Sequence, residues 1–142
     1  MRDKSYFLLL RLFLLSGAVG WASPIILFIL PKEFILDILI SMGLQNVIAD
    51  SMIIYWFFMA IASWGVIGFF FLVTSFYPLY YFNIIPLIAI GSLFQGIVLA
   101  ITGVVLKISV RFFLWDVSFC ILWGGALLLI YMKLKDSKSY RL

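Results

Sequence analysis

The chain has 142 residues, of which 66% are apolar and only 11% are charged. Ordinary soluble domains carry roughly 25% charged residues, and a soluble chain of this length could not bury so much apolar surface. This composition excludes a soluble globular domain and indicates one compact domain embedded in a lipid bilayer.

The charged and reactive residues exclude several functions. The net charge is +4, but the basic residues lie near the chain ends and in short connections, so we expect no nucleic-acid partner. The chain has no histidine, and its one cysteine, Cys120, lies inside the last apolar run. We therefore predict no metal site, no catalytic residue and no cofactor, and we interpret Cys120 as a packing residue.

A first span is predicted over residues 6–30, because a membrane-crossing helix needs about 20 mostly apolar residues. Its start resembles a signal peptide, but Arg11 interrupts the apolar region and hydrophobicity continues beyond it. We therefore expect a retained span. Pro24 should kink this helix and free a carbonyl, which Ser23 or a neighbouring helix would satisfy.

The segment of residues 32–49 is too short and too polar to cross a membrane. Glu33, Asp37, Ser41 and Gln45 recur every four residues among apolar side chains, which predicts a polar stripe on a helix lying in the membrane interface, broken near Gly43. A helix bound to a partner or a re-entrant segment is the alternative.

Three further spans are predicted, at residues 51–73, 84–106 and 112–132. Asp50 and the next serine are suited to capping the second span, and Pro86 falls in the first turn of the third. The predicted fold is an all-α antiparallel bundle of four transmembrane helices, with an interfacial helix between the first two.

The distribution of basic residues predicts the orientation. With both termini in the cytoplasm, seven basic residues lie inside and three outside, which agrees with the positive-inside rule. The three outside are Lys32, Lys107 and Arg111. We expect an integral protein of a bacterial inner membrane with both ends cytoplasmic.

The third span contains the strongest polar candidate and the clearest packing motif. Gln95 lies near its middle, where we expect an interhelical hydrogen bond, with a contact to a substrate or an ion as the alternative. Ser92, Gly96 and Ala100 are spaced by four, so they form a strip against which another helix can pack closely. The pattern leaves open whether that helix is internal or belongs to a partner.

The fourth span begins with a charged group. Asp116 follows Lys107 and Arg111, and a carboxylate near a helix N-terminus is favoured by the helix dipole. We predict that Asp116 caps the helix or pairs with one of these cations, with a proton relay as the alternative.

Three tryptophans lie deeper than the interfacial aromatic residues. Trp21, Trp64 and Trp123 fall inside the predicted spans, where they either fill the core or surround a flat apolar ligand such as a quinone or a lipid chain. We favour core filling, because few polar groups lie near them in the sequence.

The order of these features resembles the short four-helix bacterial membrane proteins of the DoxX-like and BphX-like families. The likeness rests on a second helix that opens with Tyr55 and Trp56, followed by Met59, and on Trp115 with its aspartate at the start of the fourth helix. A basic residue is expected after the Tyr-Trp pair, where this chain has two phenylalanines. The resemblance implies a fold more than an activity.

These observations favour a non-catalytic role. The small-residue strip and abundant aromatic residues predict an accessory or scaffold subunit that contacts other membrane helices. The alternative is a carrier or sensor of a hydrophobic small molecule, such as a quinone or lipid, or a small transporter.

Overall fold

The computed structural model describes residues 2–41 and 51–136. Within these ranges the chain forms helices and the turns that join them, with no strand. Four segments are long and apolar enough to cross a membrane. The predicted all-α fold with four membrane-spanning helices is therefore confirmed.

The helices follow the predicted order along the chain. Their bounds are α1 at Arg2–Ala22, α2 at Lys32–Ser41, α3 at Ser51–Phe76, α4 at Ile85–Val105 and α5 at Val110–Lys135. Short 3-10 helices lie at Ser23–Ile29, after α1, and at Phe82–Ile84, before α4. Helix α3 extends past the predicted end at residue 73, and in this added turn the hydroxyls of Thr74 and Ser75 donate to the carbonyls of Phe70 and Leu72.

The first span changes its helix type at Pro24. The ring of a proline removes the hydrogen bond to the carbonyl four residues earlier, which here belongs to Gly20. The hydroxyl of Ser23 donates to that carbonyl oxygen at 3.1 Å, so the acceptor remains satisfied. The chain then continues as the 3-10 helix rather than as an α-helix.

Helix α2 carries the polar stripe that its spacing predicts. Glu33, Asp37 and Ser41 are exposed, whereas Ile35 is buried. Residues 42–50 lie outside the described residues, and with them Gln45 and the break predicted near Gly43.

The four spans pack as a curved row that does not close into a ring. Close backbone packing joins α3 to α1, α1 to α5 and α5 to α4, whereas α3 and α4 have at most sparse backbone contact. The order in space is therefore α3, α1, α5, α4. Short connections favour packing between helices that are consecutive in sequence, but α3 and α4 do not pack closely, because the eight residues between them leave the two helices free to separate.

Each packed pair is antiparallel. Along α4 and α5, Gly103 lies beside Phe113 and Gly96 beside Ile121. Along α1 and α3, the Arg11 guanidinium lies 5.8 Å from the centroid of the Phe76 ring, and the other end of the span pairs Phe28 with Phe58. The start of α1 and the end of α5 consequently lie at the same end of the bundle.

The core is concentrated where α1, α5 and the start of α4 meet. Its largest fully buried members are Leu10, Leu14, Ile85, Leu127 and Leu134. This core packs α1 against α5 and the start of α4, and it leaves the α3–α4 side free of tight packing.

Candidate functional site

The small-residue strip of α4 packs against α5. The hydroxyl of Ser92 is buried and donates to the carbonyl oxygen of Cys120 at 3.0 Å. A Cβ atom added at Gly96 would lie 2.8 Å from Ile121 Cγ1 and 3.1 Å from Cys120 Cβ. Ala100 is half-buried on the same helix. The interhelical hydrogen bond expected of Gln95 is thus made by Ser92, and the helix against the strip is internal.

Trp123 fills the core between α1 and α5. Its Nε1 donates to the carbonyl oxygen of Phe13 at 2.8 Å and contacts Ser16 Oγ at 3.2 Å. Its ring stacks on Phe71 with the centroids 5.2 Å apart. Trp64 is exposed on α3 and does not belong to this core.

Within the described residues Asp116 forms neither the helix cap nor the ion pair that its position in the sequence predicts. Helix α5 begins at Val110, so Asp116 is the seventh helical residue and lies beyond the first turn. Arg111 precedes it by five residues, which places the two side chains about 140° apart around an α-helix. Both are exposed, and among the described residues Asp116 makes neither a capping hydrogen bond nor an ion pair.

A cleft opens on the side where α3 and α4 separate. It encloses about 220 Å³. Its walls are contributed by three helices and consist of Trp21 from α1, Ile67 and Phe71 from α3, and Ile88, Gly91, Ser92 and Gln95 from α4. Gly91 is exposed, and a Cβ atom added there would meet no other atom within 4 Å. The wall formed by α4 therefore remains open at Gly91.

Two polar groups of the cleft have no hydrogen-bond partner within the described part of the chain. The Nε1 atom of Trp21 is buried, and no acceptor reaches it. The Gln95 side chain is half-buried and makes no hydrogen bond with any described residue. Polar groups removed from water are nearly always paired, so the cleft is suited to a molecule that supplies the missing partner.

The cleft lies at mid-depth of the bundle. Gln95 is the eleventh of the 21 residues of α4, so it lies about 15 Å from each end of the helix at a rise of about 1.5 Å per residue. That depth corresponds to the hydrocarbon region of a bilayer whose apolar core is roughly 30 Å thick. A molecule in the cleft would therefore have to be soluble in lipid.

Metal binding has no candidate in the described ranges. No group of three or more acidic, cysteine or histidine side chains comes together in residues 2–41 and 51–136.

Sequence reasoning identified the cleft only in part. Gln95 was singled out because a carboxamide at mid-depth is costly, and Trp21 was noted as a deep aromatic residue. Ile67, Phe71 and Ile88 resemble every other apolar residue of their helices, so no pattern distinguished them.

Comparison with known proteins adds no family to these observations. No family model matches the chain, and neither a curated protein nor a solved structure matches it significantly.

Proposed function

We propose that this integral membrane protein is a carrier or sensor that binds a hydrophobic small molecule in the cleft between α3 and α4. The observation that carries the proposal is the buried, unpartnered indole nitrogen of Trp21, a residue that lines an otherwise mostly apolar cleft together with the half-buried Gln95. Small-molecule sites have this composition, with apolar walls and a few polar groups that fix orientation.

The size of the cleft suits a compact ligand. An apolar cavity of about 150 Å³ in another protein accepts one benzene molecule. The cleft here, at about 220 Å³, has room for one ring with substituents or for part of a lipid chain. A quinone or a lipid enters such a site laterally from the bilayer, through the gap between the two helices.

The role of accessory or scaffold subunit receives less support. It depended on the strip of Ser92, Gly96 and Ala100, and α5 already packs against Ser92 and Gly96. Binding to other membrane helices therefore needs a surface that this strip does not provide.

The proposal extends to location and kinship. We propose that the protein resides in a bacterial inner membrane with both termini in the cytoplasm and is related to the DoxX-like group. The basic residues near the chain ends support this orientation, and so does the bundle, in which α1 begins and α5 ends on the same side.

Ligand binding is tested with a lipid-soluble probe and a variant that fills the cleft. The probe is durene, a benzene ring with four methyl groups, and the readout is the thermal unfolding temperature of the protein in nanodiscs. Gly91→Leu introduces a side chain where the cleft is open, and Gly125→Leu is the matched control, because a Cβ atom there also meets nothing within 4 Å. Gly125 does not line the cleft.

We expect durene to raise the unfolding temperature of the unsubstituted protein and of Gly125→Leu, and to leave that of Gly91→Leu unchanged. Equal shifts in all three proteins would contradict the proposal. Native mass spectrometry after mild extraction gives an independent result. A bound small molecule that Gly91→Leu lacks supports the carrier or sensor, whereas a stoichiometric protein partner and no small molecule favour the scaffold.

A further inference from the structure

Resting on the proposed function, we infer that the ligand carries a hydrogen-bond-accepting oxygen on a lipid-soluble ring, as a quinone does, and that the Trp21 indole N–H donates to it. The inference follows from the hydrogen-bond donors and acceptors of the cleft that have no partner.

The three polar residues of the cleft differ in what they offer. The Ser92 hydroxyl already donates to the Cys120 carbonyl, so its proton is engaged. The Gln95 carboxamide offers both donors and an acceptor, and therefore imposes no single requirement. The Trp21 indole nitrogen can only donate, and it is buried without an acceptor beside the cleft that its residue lines, so a ligand oxygen reaches it after a small turn of the ring. The unmet need of the cleft is therefore an acceptor.

The surroundings of Trp21 explain why the chain itself supplies no acceptor for the indole N–H. The ring packs edge-on against Phe71, with the centroids 6.3 Å apart, and its other neighbours in the cleft wall include Ile67 and Ile88. These apolar side chains offer no oxygen. No backbone carbonyl of the described residues accepts from this nitrogen either, whereas the Phe13 carbonyl accepts from Trp123 Nε1.

The depth of the cleft limits the chemistry of the acceptor. The ester oxygens of glycerolipids lie at the headgroup boundary, about 15 Å from the bilayer centre, whereas Trp21 lies four residues, or about 6 Å along the helix, from the middle of the span Ser5–Ile29. An acceptor at mid-depth must belong to a molecule that is apolar throughout except for that oxygen. A ring with carbonyl oxygens meets this condition, and one substituted ring fits the volume.

The experiment compares two six-membered rings with four methyl groups each, one with two carbonyl oxygens and one with no oxygen. Duroquinone is a benzoquinone ring with four methyl groups, and durene has the same four methyl groups and no oxygen. Dissociation constants come from the dependence of the unfolding temperature on probe concentration in nanodiscs, corrected for partitioning into protein-free discs. We expect roughly tenfold tighter binding of duroquinone to the unsubstituted protein, because durene leaves the buried donor unsatisfied.

Two variants identify the donor. Trp21→Phe keeps an aromatic ring and removes the N–H, so the preference for duroquinone should disappear while durene still binds. Gln95→Met keeps the length of the side chain and removes its hydrogen-bonding groups. Loss of the preference in Trp21→Phe supports the inference, whatever Gln95→Met does. Loss in Gln95→Met alone, or in neither variant, overturns it.

A measurement on the unsubstituted protein covers the case in which Trp21→Phe does not fold. The indole N–H resonance of Trp21, assigned by triple-resonance NMR, should move downfield with duroquinone and stay in place with durene. An unchanged resonance, or equal binding of the two probes, would mean that water satisfies the donor and would overturn the inference. If the inference is overturned but Gly91→Leu still excludes durene, the proposed function survives without the inference. If Gly91→Leu binds durene normally, the proposed function itself has failed.

Discussion

Lys107 lies two residues after the last residue of helix α4, and its backbone is in the left-handed region, with φ at 55°. Its N–H donates to the Val104 carbonyl, and the N–H of Ile108 donates to that of Gly103, which together form a Schellman motif. This motif usually places glycine at the left-handed position, because a Cβ atom there is unfavourable. Lys107 is exposed, so nothing in the packing compensates.

We expect Lys107→Gly to raise the free energy of unfolding by about 0.5–1 kcal/mol, since relief of the strained backbone exceeds the added freedom of the unfolded chain. The measurement is equilibrium unfolding in mixed detergent micelles. Lys107→Ala is the control, because it removes the charge and keeps the Cβ atom. A gain of equal size in the alanine variant would assign the effect to charge rather than to backbone conformation.

A second prediction at this scale concerns the carbonyl that Pro24 frees. Ser23→Ala should destabilise the protein by about 1 kcal/mol, because the Gly20 oxygen loses its only side-chain donor. In a Pro24→Ala background the backbone N–H of residue 24 can bond to that oxygen, so the same serine substitution should cost less. The four proteins form a double-mutant cycle in thermal unfolding. Equal effects of the serine substitution in both backgrounds would contradict the assignment.

At the scale of the element, helix α4 presents two different faces. Gly96 packs on α5, and Ser92 bonds to α5 at the border of the cleft, whereas Gly91 and Gln95, each one residue earlier, line the cleft. One residue corresponds to a rotation of about 100° around an α-helix, which is enough to separate a packing face from a binding face.

The two glycines of α4 should therefore respond in opposite ways to leucine. Gly96→Leu forces α5 away from α4 and should lower stability by about 1–3 kcal/mol or more, as overpacking of a close contact does. Gly91→Leu meets open space and replaces a poor helix former, so it should leave stability unchanged or raise it. Thermal unfolding in detergent compares them. Similar unfolding temperatures for the two variants would refute the assignment of faces.

At the scale of the whole molecule, the bundle is a row of four antiparallel helices with α1 and α5 in the middle. Small residues allow both inner helices to approach their neighbours. Ala22 of α1 meets Gly68 of α3, and Gly124 of α5 meets the Ala89 carbonyl of α4. Helices α3 and α4 lie at the ends of the row, and the gap between them is the cleft.

This topology predicts which surfaces face the same side of the membrane. On a Cys120→Ala background, single cysteines at Ser5 and Asp136 should react with an impermeant thiol reagent from one side, and a cysteine at Asp37 from the other. All three positions are exposed. In intact cells we expect Asp37→Cys to react and the other two to be protected, given cytoplasmic termini. Reaction of Ser5→Cys and Asp136→Cys from opposite sides would contradict an even number of spans.

The candidate site could be predicted only where a residue was unusual for its surroundings. Gln95 stood out as a carboxamide among apolar side chains, and it lines the cleft. Trp21, Trp64 and Trp123 were equivalent in the sequence, yet only Trp21 lines the cleft, because the rotation of each helix decides which way a ring points. Within the described residues Asp116 makes neither a cap nor an ion pair, and α5 begins two residues earlier than predicted, which places Asp116 beyond its first turn.

The sequence by itself determined the four spans, the helical class and the carbonyl that Pro24 frees. These follow from local chemistry, since the length of an apolar run must match the bilayer and a proline removes one hydrogen bond wherever it stands. The tertiary structure alone decided that Ser92 bonds to α5, that α3 and α4 separate, and that Trp21 and Gln95 share a cleft. In a membrane the lipid-facing and buried sides of a helix are both apolar, so hydrophobic periodicity does not identify neighbours, and close packing of small residues does so only once the helices are in place.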